Sequence, residues 1–244
     1  MNIFKKDLLE VRVAENRIAM GQAAAEVVCR AIALVLERKD VVNVMFAAAP
    51  SQNEFLASLV TLPVDWPKVN GWHMDEYLGL DEDAPQGFGN FLRERLFSRV
   101  PFREVFYMRN CKQYSGLLAS HPTDIIVLGI GENTHLAFND PHVARFDDPE
   151  LVKIVELDED CRRQQVNDEC FVALDAVPRQ AMTVTIPGLM RADHIVGVVP
   201  GARKANAVKN TLLEEIGPRY PATILRRHQG AVLFLDEDSA GEVG

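Results

Sequence analysis

An α/β fold, a mostly parallel sheet with helices on both faces, is what this 244-residue sequence predicts. Three observations carry that expectation. Short apolar runs rich in β-branched residues recur along the chain, helical periodicity fills the intervals between them, and small or polar turns fall at the ends of several runs.

The elements follow in order. Residues 15–38 predict a long helix, with Ile18, Ala25, Val28, Cys29, Ile32 and Leu36 at spacings of three and four. The run at 41–46 predicts a buried strand, followed by small residues at 47–51 and a helix near 52–61, a βα unit. A second strand is expected at 69–74. Residues 86–97 read as a helix with Phe88, Phe91, Leu92, Leu96 and Phe97 on one face. Further short strands are expected at 104–108, 124–130, 154–157, 182–186, 194–199 and 232–235, with helices at 112–120, 202–213 and 222–228. No internal repeat or low-complexity stretch divides the chain, so 1–244 is expected to form a single domain. In such folds ligands lie beyond the carboxyl ends of the strands.

Composition narrows the function classes. The net charge of −9 argues against a nucleic-acid partner, which needs a basic footprint. A local pocket can still be positive enough for an anionic small molecule. No apolar run is long enough to cross a bilayer and the first residues lack a signal-peptide core, which predicts a cytoplasmic protein without a membrane partner. Cys29, Cys111, Cys161 and Cys170 form no Cys-x-x-Cys pair and read as reduced thiols. The six histidines show no metal-binding spacing, so no metal is expected. The sequence is compatible with a homo-oligomer and does not fix the oligomeric state.

Four polar clusters fall at expected strand ends. The most informative begins Leu128-Gly129-Ile130-Gly131 and continues through Asn133, Thr134 and His135 to Asp140 and Pro141. Gly129 and Gly131 let the backbone turn and approach a ligand closely. His135, the side chain with a near-neutral ordinary pKa, stands between Asn133 and Asp140, which could orient its ring. Glycines and one histidine also serve an ordinary turn, so the other clusters decide the weight. Met74-Asp75-Glu76-Tyr77 places adjacent carboxylates at a strand end; neighbours on a strand point to opposite faces, so only one of the pair can enter a pocket. Gly201-Ala202-Arg203-Lys204 opens a helix, where backbone N–H groups favour anions and Lys204 could hold a phosphate. Ala48, Ala49 and Ser51 form a small turn in which Ser51 either caps a helix or meets a phosphate oxygen. Beyond these, Arg163 in the run Arg162-Arg163-Gln164-Gln165 is a candidate substrate contact on an otherwise solvated helix start.

Taken together these clusters resemble the glucosamine-6-phosphate deaminase/isomerase family, to which 6-phosphogluconolactonase is the related branch. The resemblance spans about residues 40–237. Met74-Asp75-Glu76-Tyr77 matches the family's Met-Asp-Glu-Tyr. Gly129, Gly131, His135, Ala137, Phe138, Asn139 and Pro141 match its glycine–histidine motif. Tyr77 and Phe138-Asn139 resemble the aminosugar branch rather than the lactonase branch. Asn133, Thr134 and Asp140 stand where the family has Asp, Gly and Glu, and Ala49-Pro50-Ser51 replaces its glycine-rich phosphate turn.

The resemblance implies a Rossmann-like fold, no cofactor, and a sugar phosphate as the partner. It implies conversion of a hexosamine 6-phosphate, glucosamine 6-phosphate or an epimer, to a ketohexose 6-phosphate and ammonia. Asp75 would be the base, His135 the ring-opening group oriented by Asp140 and Asn133. Lys204, Ser51 and the loop residues Ala48, Ala49, Gly129 and Gly131 would hold substrate and phosphate. Lactone hydrolysis, a non-catalytic sugar-phosphate binder and a plain nucleotide-binding protein are the alternatives; against the last, Gly129-Ile130-Gly131 lacks the third glycine of a dinucleotide loop.

Overall fold

A computed structural model describes residues 1–243. The chain opens with a hairpin, β1 (Asn2–Lys6) and β2 (Leu9–Ala14), turning at Asp7 with φ of 52°. Helix α1 (Arg17–Leu36) leads to β3 (Val42–Phe46), α2 (Asn53–Leu59), β4 (Val69–His73) and β5 (Asp75–Tyr77). Helix α3 (Phe88–Leu92) continues as a π turn over Arg93–Phe97, followed by β6 (Glu104–Phe106), α4 (Cys111–Ser120) and β7 (Ile125–Leu128). Then come β8 (Val152–Glu156), α5 (Glu159–Asn167), β9 (Gln180–Val184), α6 (Ile186–Leu189) and β10 (His194–Val199). A 3₁₀ turn at Ala202–Lys204 runs into α7 (Ala205–Leu213), a longer 3₁₀ segment covers Pro221–Arg227, and β11 (Ala231–Asp236) closes the fold.

Eight strands form one sheet in the order β1-β2-β11-β10-β7-β3-β4-β6, parallel throughout except for the hairpin. The α/β expectation, mostly parallel with helices on both faces, holds. Alternation along the strands divides the core between the two faces. Val44, Phe46, Ile125 and Val127 pack with α1 and α2. Met45, Ile126 and Leu128 pack with Tyr114 and Leu118 of α4 and with Val208 and Leu212 of α7.

Two expectations change. The strands expected at 154–157 and 182–186 do not join the main sheet. As β8 and β9 they pair antiparallel with β5 in a separate sheet of order β5-β9-β8. Asp75 therefore begins a strand of its own instead of ending β4, and Glu76 pairs with Met182 across it. The membrane reading also needs correction, because α1 is long and apolar enough by composition to cross a bilayer. Here its Met20, Ala24, Val28, Ile32 and Val35 are buried against the sheet, and the side chains of Glu26 and Arg30 face outward as an ion pair.

The chain runs outward from β3 to β4 and later resumes on the other side of β3 with β7, so the connections diverge between β3 and β7. A cleft at that point is the default ligand position of an open parallel sheet. The loops after the four contiguous strands β10, β7, β3 and β4 converge there.

Candidate active site

The converging loops enclose a cavity lined by Ala48, Ala49, Ser51, Asp75, Phe88, Gly129, Gly131, His135, Phe138, Gln164, Gln165 and Lys204. A cleft of about 350 Å³ shares Ser51 and Lys204 with it and adds Arg17, Glu132, Asp168 and Arg203. A cleft of about 390 Å³ lies on the other side of β5, but its Arg93 and Arg109 pair with Asp83 and Glu82. The groups free to do chemistry gather in the first cavity.

Alternation along β5 sends Asp75 and Tyr77 inward and Glu76 away. Glu76 accepts hydrogen bonds from the amides of Phe88 (2.9 Å) and Gly89 (2.8 Å), so it fixes the start of α3. Asp75 is 7% exposed, and no group among the described residues hydrogen-bonds its carboxylate. Behind it Tyr77 packs on Phe88, Phe138 and Phe171, with ring centroids 4.8–5.4 Å apart. Burial, then the charge of Glu76, push the Asp75 carboxyl well above the usual carboxylate range. A carboxylate in that environment binds a proton more strongly than one in water, which suits it to removing a carbon-bound proton.

The loop after β7 is built around His135. Its Nδ1 lies 2.8 Å from Asn133 Oδ1 and 3.0 Å from Asp140 Oδ1, which assigns the Nδ1 proton to that side. The Asn133 amide donates to Asp140 Oδ1 (3.0 Å) and to Asp158 Oδ2 (3.2 Å). One neutral side chain thus bridges two carboxylates while accepting from the imidazole. Burial raises the Asp140 carboxyl, but bonds from His135, the imidazole charge and the Asn133 amide outweigh it and hold Asp140 below its ordinary value. Asp158 also caps α5, accepting from the Cys161 amide at 2.6 Å. His135, Asp140 and Cys161 present ligand atoms within 4.8 Å of one another, as do Asp140, His142 and Asp158. Sequence spacing could not show these groupings; hydrogen bonding within the relay accounts for most of their closeness.

The loop is fastened from outside the cavity. Asn139 donates to the carbonyls of Leu136 and Val184, both at 2.8 Å, and the Phe138 amide donates to Thr183 Oγ1 at 3.0 Å. These bonds hold Thr134 and Ala137 at φ of 72° and 49°, a left-handed conformation that costs a non-glycine residue about 1–2 kcal/mol. Gly131 is required for a reason apart from ligand approach. A Cβ there would lie 2.2 Å from the His135 ring. Gly131→Ala is expected to displace the imidazole from Asn133 and Asp140 and to lower turnover at least about tenfold by misplacing a proton-transfer group. An activity assay beside a thermal melt checks this: loss of activity with the melting transition kept is the expected result.

Lys204 sits where the turn after β10 meets α7, 7% exposed, and its ammonium has no hydrogen bond or ion pair among the described residues. Burial lowers its pKa, with Asp168 and Glu132 opposing that shift. An unpaired, largely buried cation facing a cavity is suited to an anion. Ser51, in the turn after β3, lies on the same side. Gly129 lets that turn pack closely, since a Cβ there would meet Gln52 Nε2 at 3.3 Å.

Arg163 is corrected. Its side chain is 60% exposed and pairs with Glu159 one turn back, outside the cavity. Gln164 and Gln165 line the cavity instead. Helical phase explains the difference: Cys161, Gln164 and Gln165 share one buried face of α5, and Arg163 lies off it. Phe88 was also absent from the sequence-based site, since its helix follows a long turn.

Residues 15–234 match the family described as glucosamine-6-phosphate isomerases/6-phosphogluconolactonase. The chain is 33% identical over 223 residues to a glucosamine-6-phosphate deaminase of Bacillus cereus, covering 88% of this chain and 83% of that one. It is 30% identical to one of Streptococcus pneumoniae, covering 95% and 98%. Among solved structures, a monomeric glucosamine-6-phosphate deaminase superposes with a TM-score of 0.85 at 26% identity, covering 95% of this chain and 99% of that one. The 6-phosphogluconolactonase of Leishmania guyanensis shares the fold, with a TM-score of 0.78 at 21% identity over 96% and 98%. A family match over nearly the whole chain, and relatives of this similarity, agree with the cavity's acid–base groups: the chain belongs to the family of glucosamine-6-phosphate isomerases and 6-phosphogluconolactonases.

Proposed function

We propose that this chain converts a hexosamine 6-phosphate, glucosamine 6-phosphate or an epimer, to a ketohexose 6-phosphate and ammonia. The observation that carries the reading is one cavity holding an unpartnered buried carboxylate, a histidine relay and an unpaired ammonium. Deaminase relatives support the substrate class. The whole chain acts as one domain on a soluble sugar phosphate in the cytoplasm.

The chemistry follows from the groups. His135 Nε2, facing away from the Asn133–Asp140 pair, moves a proton between the C1 hydroxyl and the ring oxygen, and the ring opens. Asp75 then takes the proton from C2 as the C1 carbonyl oxygen gains one, which leaves a C1=C2 enolamine. Returning a proton to C1 produces a C2 iminium; water adds there and ammonia leaves, giving the ketose. Lys204 and Ser51 hold the phosphate, and Ala48, Ala49, Gly129 and Gly131 keep the cavity wall close to the sugar. Asn133 and Asp140 orient the imidazole.

Two assays separate the family's branches. Purified protein is expected to release ammonia from a hexosamine 6-phosphate and to leave 6-phosphogluconolactone at its uncatalysed rate; the reverse pattern would falsify the deaminase reading. Binding with neither activity would identify a sensor. Lys204→Ala is expected to raise KM more than it lowers kcat, by the equivalent of about 1.5–3 kcal/mol for a charge-assisted contact. Affinities for phosphorylated and unphosphorylated sugars check this. If the variant keeps the parent's ratio between them, Lys204 is not the phosphate ligand.

A further inference from the structure

We propose that Gln165 reads the C4 hydroxyl of the substrate and so sets the epimer preference, an assignment that rests on the deaminase reading above. The observation is a side-chain amide that lines the cavity, is 7% exposed, and has no hydrogen-bond partner among the described residues. Buried amides are almost always paired, so one open towards a cavity takes its partner from what fills the cavity, water or a polar group of a ligand.

Its neighbours show why this amide is the free one. Gln164 is already used: its Oε1 accepts from the Glu132 amide at 2.8 Å and its Nε2 reaches Asp168 at 3.3 Å. Cys161, on the same face, lies against Asp140 with its thiol pushed up by burial and by that carboxylate. Arg162 is tied to the carbonyls of Leu174 and Val177. Gln165 alone of this face offers both a donor and an acceptor to the cavity.

The position along α5 narrows the contact to the hydroxyls between C2 and C6, and C4 is the one among them that distinguishes glucosamine 6-phosphate from galactosamine 6-phosphate. The helix is capped at its start by Asp158, which contacts Asn133 in the His135 relay. It ends at Asn167, whose carbonyl accepts from Arg203, the residue before Lys204. The helix therefore runs from the reacting end of the substrate towards the phosphate end. Gln165 stands two residues before the phosphate-side terminus, beside the part of the sugar chain between C2 and C6. A hydroxyl both donates and accepts and so matches an amide, whereas a phosphate only accepts and is matched by the Lys204 ammonium. A site built to bond one hydroxyl rejects the epimer that leaves its amide unpaired.

The test measures ammonia release from glucosamine 6-phosphate and from its C4 epimer, galactosamine 6-phosphate, by the parent, Gln165→Met and Gln165→Ala. The parent should prefer one epimer. Each variant should lose about tenfold in kcat/KM on the preferred epimer, mostly through KM, as expected for one neutral hydrogen bond. The other epimer should change less than about threefold, so that the preference collapses. A parent that takes both epimers equally, or variants that keep the parent's ratio, overturns the assignment while leaving the deaminase reading intact. Absence of ammonia from the parent with both epimers overturns the deaminase reading itself.

Discussion

Asp75→Asn is expected to lower turnover of a hexosamine 6-phosphate by about 10²–10⁴-fold, the range of a positioned general base, with affinity kept within severalfold. The expectation rests on isolation. Asp75 is buried, its carboxylate has no hydrogen-bond partner among the described residues, and Phe88 and Phe138 line the same cavity. An Asn there fits the same space and makes no new charge, so the fold and the affinity for substrate are expected to persist. The readout that isolates its role is exchange of the C2 proton with solvent deuterium, which precedes loss of ammonia. Exchange at the parent rate in the variant would remove Asp75 from that step. The direction of its pKa adds a second check. A general base works only when ionised, and burial with Glu76 nearby raises the Asp75 pKa. The acid limb of kcat/KM for the parent should therefore lie above the ordinary carboxylate range, with activity lost as pH falls through it.

The strand ends were legible because they combine two local signals, an apolar run and a break in it. Asp75, His135, Asp140 and Lys204 each follow such a break, and the parallel sheet brings those breaks to one side. The antiparallel sheet was not legible. Asp75-Glu76-Tyr77 is too short to show a period of its own, and its partner, Gln180–Val184, lies a hundred residues away in sequence. The hairpin at 2–14 does alternate, with Leu9 and Val11 buried and Glu10 and Arg12 paired across the outer face. For Arg163, charge suggested a ligand, but helical phase decides which side chain reaches the cavity, and it selects Gln164 and Gln165. Asn133 looked like a lost charge in sequence. In the fold its amide donates to Asp158 as well as Asp140, so a second carboxylate, distant in sequence, stands within the relay.

That arrangement makes Asp140→Asn the other large effect expected. Asp140 is fully buried and held ionised by bonds from His135 and Asn133. An amide at this position must choose. Its oxygen can accept from His135 Nδ1 and from Asn133, but its nitrogen then faces the Asp158 amide, a donor 3.5 Å from Asp140 Oδ2. The alternative orientation turns a donor towards the imidazole proton. Either way the fixed orientation of His135 weakens and the negative charge beside it is lost. Ring opening is expected to slow by about 10²-fold or more, within the range for a misoriented acid–base histidine. Rates on closed-ring and freshly opened substrate provide the measurement. A loss confined to the closed ring is the expected outcome. An equal loss on both substrates would mean that Asp140 only supports the loop and has no part in ring opening.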